Sequence, residues 1–368
     1  MKIVHFTSVH DRYDIRIFHK MCVSLSQFNH DVSLVVADDL EDEVNRGVKI
    51  FSSGKPSSHR IFRMLSGAYK TYQKANSIPA DIYQFHDPEL IFFGLFMSLK
   101  GKKVIFDSHE DIPKDILDKE YINIYIRKFA SIFFGLIEKY LFRYFSVVIT
   151  STPTIETKMR SYGVNAYAIR NFPILSEFKS RFSLHTRNIC YIGGITSNRG
   201  IAELIDALDF VDDVKLILAG KFSDNDFEAE LKSKKNWSKV DYRGVQNRAG
   251  ISKVLSDSSI GIVTLHPANN FLESLPIKMF EYMAAGLPVI ISNFPLWMEI
   301  VEESNCGVSV DPLNPVAIAK KINEMFTDFD KLYEMGKIGC EIVKTKYNWG
   351  IESQKLIQVY NSINICVE

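Results

Sequence analysis

Two glutamates, Glu273 and Glu281, stand eight positions apart around a predicted helix start. Pro276 is typical of the first helical residue, because proline lacks the N–H that stays unpaired there, and Gly286 is typical of the left-handed residue after a helix. The pattern predicts a helix over residues 276–285. Its amino end would attract phosphate, since the N–H groups there are unpaired and the dipole end is positive. Glu281 could accept two ribose hydroxyls, so the segment is typical of a nucleotide-sugar site; an amphipathic helix with a surface glutamate fits the same spacing.

A glycine turn and a cation follow another predicted strand, at Gly193, Gly194 and Arg199. Backbone amides of such a turn can approach an anion, and a guanidinium binds phosphate oxygens in a bidentate manner. Lys278 precedes Glu281 by three residues, so it could pair with that carboxylate or reach a diphosphate. An ordinary helix-start arginine and a surface ion pair are the alternative interpretations.

Three histidines stand at the ends of predicted strands, where loops concentrate functional side chains. His86 follows the run 82–85, His109 follows a run that ends at Asp107, and His266 closes a third run. A lone histidine is more often structural, and the second segment also fits a helix cap. The pattern alone therefore leaves their roles open.

Patterns typical of metal ligands are weak in this chain. Asp224 and Asp226 form an Asp-x-Asp pair, but they lie in a polar segment with no third ligand suggested nearby, so we interpret the pair as coincidental. The five cysteines are scattered and include no Cys-x-x-Cys pair. They predict buried thiols in a reducing cytoplasm.

The length and charge of the chain limit the classes of protein to which it can belong. A chain of 368 residues predicts two domains with ample core. Its 44 basic and 44 acidic side chains argue against a whole-protein field that collects nucleic acid. No signal peptide is expected, and the longest apolar runs, 90–99 and 129–137, are too short to cross a bilayer. We therefore expect a cytoplasmic protein that does not cross a membrane.

One segment nevertheless suggests a membrane surface. Residues 114–143 mix aromatic and aliphatic side chains with basic ones, among them Arg127, Lys128, Lys139 and Arg143. A basic, aromatic, amphipathic stretch can lie on an anionic bilayer. A helix that buries its apolar face against a sheet is the alternative.

Short β-branched runs alternate with helix-period segments, which is the pattern of parallel sheets wound with helices. A polar linker is predicted over 174–188 and a terminal helix over 349–363. The strand-like runs are 2–6, 32–37, 82–85, 104–107 and 147–150 before the linker, and 189–192, 215–219, 240–242, 261–265, 288–291 and 307–310 after it.

The glutamate segment resembles the E-x7-E motif of the family-4 retaining glycosyltransferases, in the form seen in bacterial capsule and O-antigen members. Further matches follow in family order over nearly the whole chain. They are Thr7–Cys22, Phe85–Leu90, Asp107–Asp111, Asn171–Pro173, Tyr191–Gly194, Leu218–Gly220 and Ser274–Ile290. The chain departs from the family where most members have Gly-Arg instead of Gly193-Gly194 and lysine instead of Arg199, so one of the two usual diphosphate cations is missing.

The resemblance implies the GT-B fold of the α/β class, with two facing Rossmann-like, doubly wound domains. The acceptor domain would span 1–173, the nucleotide-sugar domain 188–345, and a helix in 346–368 would cross back to the first domain. No metal or other cofactor is implied, because the helix dipole and basic side chains would neutralise the leaving diphosphate.

The same resemblance implies roles for particular residues. His86 and Glu273 would act at the reacting centre, where His86 faces the sugar with its backbone and ring and is not a conventional base. Glu281 would bind the ribose, and Arg199 and Lys278 the diphosphate. The donor-binding set is Gly193, Gly194, Arg199, Lys278, Glu281, His266, Ser274 and Leu275, and the acceptor-side set is His10, Arg16, His109 and Glu110.

We therefore expect a retaining hexosyltransferase that moves a sugar from a nucleoside diphosphate sugar to a lipid-linked polysaccharide acceptor in cell-surface glycan biosynthesis. It would work in the cytoplasm, at the inner face of the membrane. The alternatives are a nucleotide-sugar epimerase of GT-B fold and a non-catalytic glycan-binding protein. Of the epimerase pattern only Asp-x-His-Glu is present. The intact pair Glu273 and Glu281 disfavours a glycan-binding protein without activity. A dehydrogenase is disfavoured because no Gly-x-Gly-x-x-Gly follows the first strand.

Overall fold

The chain folds into two compact α/β units. The computed structural model describes residues 1–55, 63–117, 123–179, 186–272 and 274–365. The first unit comprises Met1–Asn171 and Gly350–Glu368, and the second comprises Phe172–Trp349. The segment predicted as a linker thus belongs to the second unit, where Leu175–Glu177 forms a 3-10 turn.

The first unit is built on an eight-stranded sheet of order β3-β4-β2-β1-β5-β6-β7-β8. All its pairs are parallel except β3 with β4. The central strands are buried along nearly their whole length, which explains why they are continuous apolar runs. The strands are β1 (Lys2–Thr7), β2 (Asp31–Val36), β3 (Glu43–Asn45), β4 (Val48–Ser52), β5 (Ile82–Phe85), β6 (Lys103–Ser108), β7 (Val147–Thr150) and β8 (Ala166–Ala168).

Three of these strands, β3, β4 and β8, were not predicted from the sequence. β3 and β4 form a hairpin whose two turn residues, Arg46 and Gly47, both have positive φ, 49° and 80°. Such a turn is usually signalled by Asn-Gly or Asp-Gly, so Arg-Gly gave no signal. β3 and β8 have only three residues each, too few for a readable alternation.

The second unit carries a six-stranded, wholly parallel sheet of order β11-β10-β9-β12-β13-β14. Apolar side chains cover both of its faces in two clusters. Its strands are β9 (Asn188–Ile192), β10 (Lys215–Ala219), β11 (Val240–Gly244), β12 (Ile260–Val263), β13 (Val289–Ser292) and β14 (Gly307–Val310). The six predicted runs match these strands in place and order.

Helices connect the strands in both units, as the sequence predicted. Ile15–Cys22 is a π-helical segment that continues into the first α-helix. The α-helices of the described residues are α1 (Val23–Gln27), α2 (Ala68–Ser77), α3 (Ile91–Leu99), α4 (Ile112–Leu117), α5 (Ile124–Leu141), α6 (Pro153–Ser161), α7 (Ile201–Ala207), α8 (Asn225–Ser233), α9 (Arg248–Ser256), α10 (Asn269–Leu272), α11 (Ile277–Ala284), α12 (Pro295–Val301), α13 (Pro315–Met325), α14 (Phe329–Thr345) and α15 (Trp349–Ile365).

The terminal helix α15 belongs, from Gly350 onward, to the first unit. Glu352 accepts hydrogen bonds from the backbone N–H of Arg170 at 2.9 Å and from its guanidinium at 3.1 Å. Tyr360 is fully buried and lies 3.2 Å from the ring of His5 on β1. These contacts place the last helix of the chain beside its first strand.

Among the described residues, no helix combines the length and the apolar character needed to cross a bilayer.

Candidate functional site

The glutamate helix α11 starts one residue later than predicted. Pro276 caps it with φ −71° and ψ 122°, an extended conformation, so the first helical residue is Ile277. The helix ends at Ala284, and Gly286 takes the predicted left-handed conformation with φ 83°. Glu281 therefore lies just over one turn into the helix, partly exposed to solvent. Glu273 lies outside the described residues.

A buried tryptophan anchors the loop that precedes α11. The indole N–H of Trp297 donates to the carbonyl of Ser274 at 2.7 Å, and Trp297 is fully buried. Leu275 packs against the apolar cluster on that side of the sheet. Both predicted residues therefore position the approach to the helix N-terminus, where backbone N–H groups are open to an anion.

Lys278 lies against the glycine turn after β9. A Cβ placed on Gly193 would lie 2.1 Å from Cε of Lys278 and would push the lysine aside, and the φ of Gly193, 138°, favours glycine there. The ammonium of Lys278 lies 5.1 Å from the ring centre of Tyr191. No atom lies within 4 Å of a Cβ built on Gly194. The turn thus lies against the lysine side chain and leaves room beside Gly194.

Arg199 is the second cation of this group. It follows the glycine turn and precedes Gly200, whose φ is 70° and whose added Cβ would lie 1.9 Å from the carbonyl of Thr264. The guanidinium lies 4.9 Å from the ring centre of Phe271. Burial, and then the charge of Arg199, lower the pKa of Lys278 to about 7. The two cations repel each other, and Lys278 loses its proton near neutrality. A bound anion would stabilise the charged form of Lys278.

Four buried polar atoms in the same region have no hydrogen-bond partner among the described residues. His266 approaches Glu203 on α7, with Nε2 3.1 Å from Oε1, but without hydrogen-bond geometry. Buried polar atoms are rarely left unpaired in native proteins, so a ligand that carries hydroxyls or phosphate oxygens would complete this group. The four atoms are Arg199 Nε, Glu203 Oε2, Thr264 Oγ1 and His266 Nε2.

We name these residues the donor-side cluster: Tyr191, Gly193, Arg199, Glu203, Thr264, His266, Lys278 and Glu281. Sequence reasoning did not name Tyr191, Glu203 or Thr264 as site residues. Glu203 has the appearance of an ordinary acidic residue in a first helical turn, and nothing in the sequence shows that the turn faces His266.

The Asp-x-Asp pair belongs to a helix cap. Asp224 accepts a hydrogen bond from the backbone N–H of Phe227 at 2.7 Å and so caps α8, and Asp226 lies in the first turn of that helix. Acidic residues are favoured in both positions by the unpaired N–H groups and the helix dipole.

In the first unit, Asp107 at the end of β6 is the centre of a second group, which we name the histidine cluster. His86 contacts it through Nδ1 at 3.0 Å, and His109 through Nε2 at 2.9 Å. Arg16 donates to both carboxylate oxygens, at 2.6 and 3.0 Å. The carboxyl ends of parallel strands meet at one edge of the sheet, which brings these side chains together.

The charges of the histidine cluster are balanced. Burial alone would raise the pKa of Asp107, but Arg16 and His109 hold it well below its usual range. Burial lowers the pKa of His86, and Asp107 only partly offsets this effect. The cluster is therefore an ionised carboxylate paired with a bidentate guanidinium, with a largely neutral His86 beside it.

Both ring nitrogens of His86 have hydrogen-bond partners inside the first unit. Its Nε2 lies 3.1 Å from Nδ1 of His5, and His5 Nε2 lies 3.2 Å from the hydroxyl of Tyr360, which also donates to Gln84. The His86 side chain has no exposed surface. Both ring nitrogens are therefore used inside the first unit, and a contact of the His86 ring with a sugar stays a prediction.

The remaining acceptor-side residues lie near the same edge. His10 bonds Asp87 through Nδ1 at 2.8 Å; burial would lower the pKa of His10, but Asp87 outweighs it and the pKa is raised. The rings of His10 and His109 are 5.0 Å apart between centres. Glu110 is exposed. His10, His109 and Glu110 thus present polar surface above the buried Arg16, His86 and Asp107.

The ligand atoms of His86, Asp107 and His109 lie within 4.8 Å of one another, which is close enough for a metal ion. Sequence reasoning did not single out this grouping, and the expectation that no metal takes part stays a prediction. The donor set fits a cation poorly, however, because Arg16 already binds both oxygens of Asp107. A divalent ion would have to displace this guanidinium at a cost in free energy.

Comparison with known proteins identifies the family. Residues 16–172 match the family model described as Glycosyltransferase Family 4, and residues 175–341 match the model described as Glycosyl transferases group 1. The chain belongs to the group 1 glycosyltransferases. These enzymes have the GT-B fold, so the prediction of fold and enzyme class from the sequence is confirmed.

This glycosyltransferase is similar to an uncharacterized glycosyltransferase, MJ1607, of Methanocaldococcus jannaschii, at 25% identity over 58% of the chain and 55% of the relative. The chain spans about half the length of the curated relatives it matches.

Two solved structures share the fold. One is a sucrose-phosphate synthase of Thermosynechococcus elongatus, with TM-score 0.78, 15% identity and 99% of each chain covered. The other is Anabaena Alr3699/HepE in complex with UDP-glucose, with TM-score 0.74, 17% identity, 98% of this chain and 100% of that chain covered.

Proposed function

We propose that this group 1 glycosyltransferase transfers a hexose from a nucleoside diphosphate sugar, with retention, to a lipid-linked glycan acceptor in capsule or O-antigen biosynthesis. The proposal places the reaction in the cytoplasm at the inner face of the membrane. The observation that carries it is the convergence of Arg199 and Lys278 beside the glycine turn, in a region with four unpaired buried polar atoms that include Arg199 Nε.

The donor-side cluster suits a diphosphate. Arg199, Lys278 and the open N–H groups of α11 offer positive charge and hydrogen-bond donors at one end of the sheet. As the bond between the sugar and the diphosphate breaks, negative charge grows on the leaving diphosphate, and these groups would stabilise it. The fold likeness to Alr3699/HepE, solved with UDP-glucose, agrees with a donor of this class.

Glu281 would bind the ribose. It lies one turn further along α11 than the helix N-terminus, on a helix whose inner face, including Phe280 and Tyr282, is fully buried. A carboxylate on so rigid a support can accept two neighbouring hydroxyl groups. Glu273 is proposed to act on the sugar itself, as the family resemblance implies.

The histidine cluster would serve the acceptor side of the reaction. His86 is held by His5 and Asp107, so its contribution to sugar binding would come from its backbone, while His109 and His10 offer partly exposed rings. We propose that no metal takes part, because Arg16 supplies the cation that Asp107 requires.

A two-step experiment tests the function. First, the protein is screened by thermal shift against UDP, GDP, ADP and CMP sugars; a donor at 100 times its dissociation constant stabilises by about 2.7 kcal/mol. Second, the donor that binds is incubated with membranes carrying lipid-linked glycan, and the anomeric configuration of the product is read by NMR.

We expect acceptor-dependent release of the nucleoside diphosphate and a product with the anomeric configuration of the donor. Conversion of the donor without any acceptor would establish an epimerase instead. Binding without turnover on any acceptor would favour a glycan-binding protein, and an inverted product would overturn retention.

A further inference from the structure

Helix α5 in the first unit turns an apolar face to solvent. Of its 18 residues only Ile137 and Glu138 are buried. Tyr125 is 79% exposed, Phe129 74% and Ile132 66%. We define the α5 face as Tyr125, Ile126, Phe129, Ile132, Phe133, Leu136 and Tyr140, all of them exposed.

The α5 face is one continuous stripe. At about 100° per residue its seven side chains fall within an arc of about 120°. The alternative considered from the sequence, in which the apolar face is buried, holds only for another side of the helix, where Phe134, Ile137 and Leu141 pack against the core. A contiguous exposed apolar surface of this kind on a soluble domain usually marks a docking site.

A second helix near the end of α5 also exposes apolar side chains. The exposed residues Phe92, Phe96 and Leu99 share one side of α3. Ser98 at the end of α3 donates a hydrogen bond to the carbonyl of Tyr144, just beyond α5, so the two helices meet at that end.

The charged side chains of the α5 segment are basic, with one buried exception. Between residues 124 and 144 the basic side chains are Arg127, Lys128, Lys139 and Arg143, and the sole acidic one is Glu138. Glu138 is buried, with its carboxylate 2.6 Å from the ammonium of Lys158. The surface of the segment is therefore positively charged, and Lys128 and Lys139 border one edge of the apolar stripe on the helix wheel.

Contacts with the core of the first unit fix the orientation of α5. Ile137 packs in the core of the first unit, and the Glu138–Lys158 pair is extended by Asp111, whose carboxylate lies 2.9 Å from the same ammonium. Rotating the helix to bury its aromatic residues would pull the buried Glu138 carboxylate away from its partner Lys158, which is costly for a buried charged group. The exposed stripe is thus part of the fold itself.

We propose that the α5 face docks on the surface of an anionic lipid bilayer. Its aromatic and aliphatic side chains would enter the boundary between headgroups and acyl chains, as amphipathic interfacial helices do, and Lys128 and Lys139 would contact lipid phosphates. A second copy of the chain fits this face less well. A symmetric dimer through it would bring two sets of four cations together.

The test uses the full chain in flotation with phosphatidylcholine vesicles that contain or lack phosphatidylglycerol. We expect binding to the anionic vesicles at low salt and release at high salt as attraction is screened. Phe129→Ala with Ile132→Ala should reduce the partition coefficient more than about tenfold. Lys128→Gln with Lys139→Gln should reduce it about 25-fold, roughly fivefold per lysine.

Matched variants in the second unit serve as controls. Phe210 and Val316 are 54% and 57% exposed, and Lys331 and Lys344 are exposed lysines. Their changes to alanine and glutamine, respectively, should leave partitioning within about twofold of wild type. Melting temperature and nucleotide binding report whether each variant is folded.

Equal binding to neutral and anionic vesicles, or equal effects of the α5 and control variants, would overturn the proposal. So would a stable dimer in sedimentation that the α5 variants dissociate while no vesicle binding occurs. The docking proposal rests on the membrane location in the proposed function, but none of these readouts requires turnover, so docking can fail while the proposed sugar transfer stands.

Discussion

Gly193 and Lys278 lie so close together that a Cβ added to Gly193 would be 2.1 Å from Cε of Lys278, so a side chain at Gly193 would force the end of the lysine to move. The glycine turn and the glutamate helix are far apart in the sequence, and this contact joins them into one cluster. It also positions Lys278 close enough to Arg199 for the two charges to interact.

Gly193→Ala is expected to displace Lys278 and to weaken donor binding by at least about tenfold, with a loss of stability of about 1 to 3 kcal/mol from strain at φ 138°. Gly194→Ala is the control, because a Cβ there meets nothing within 4 Å. Calorimetry and thermal melting measure both effects. Equal behaviour of the two variants would contradict the role of the contact.

Donor affinity should depend on pH through Lys278. Burial and Arg199 lower its pKa to about 7, so the free protein loses this charge as the pH rises above that value. A bound diphosphate would favour the charged form. Affinity for the nucleoside diphosphate sugar should therefore fall between about pH 6 and pH 9, by up to about tenfold per unit, with proton uptake on binding.

The check is calorimetry in buffers of different ionisation enthalpy, with Lys278→Met as the control. Lys278→Met should bind more weakly at low pH and show a flat profile. A wild-type profile that is equally flat would show that Lys278 does not contact the diphosphate.

Arg16→Met is expected to destabilise the first unit by about 3 to 5 kcal/mol, because it leaves the fully buried Asp107 carboxylate without its guanidinium. Arg12→Met is the matched control. Arg12 also binds two carboxylates, but Asp38 and Glu43 are partly exposed, so its loss should cost much less. Chemical denaturation of both variants compares the free energies of unfolding, and similar losses would contradict the argument.

Turnover is expected to persist in excess EDTA, because the histidine cluster is already neutralised by Arg16 and the Asp224 side chain caps a helix. The measurement is the rate of nucleoside diphosphate release before and after chelation. Activity that disappears with EDTA and returns with Mg²⁺ or Mn²⁺ would contradict this expectation and would direct attention to His86, Asp107 and His109.

The sequence predicted those parts of the fold that rest on strong local signals. The parallel strands are continuous apolar runs, and the helix of Glu281 ends in a glycine whose φ of 83° requires that residue type. The start of the helix was misplaced by one residue, because proline suits both the cap and the first helical position. The hairpin at Arg46 and Gly47 carried no recognisable turn signal.

The candidate site was less predictable, because its key contacts join distant segments. Asp107 was noted only as part of a motif, yet it binds Arg16, 91 positions away. His5 and Tyr360 are separated by 355 positions, and each resembles an ordinary core residue. Glu203 and His266 meet only because the first turn of α7 and the loop after β12 converge in the second unit. Periodicity reports on neighbours along an element and carries no information about such pairs.

The most direct test of the central claim, a nucleotide-sugar site on α11, is the change Glu281→Gln. The variant keeps the size of the side chain and one carbonyl acceptor but loses the charge-assisted hydrogen bonds to the ribose. These bonds are worth about 1.5 to 3 kcal/mol, or roughly one to two decades in dissociation constant. Glu273→Gln should instead slow the step that involves the sugar, with little effect on binding of the free nucleotide.

The measurement is calorimetry with the cognate nucleoside diphosphate, beside Glu299→Gln as a control on an exposed glutamate of α12. We predict weaker binding for Glu281→Gln alone, at an unchanged melting temperature. If Glu281→Gln binds the nucleotide as tightly as the wild type and Glu299→Gln do, Glu281 does not hold the ribose and the account of the donor site is wrong.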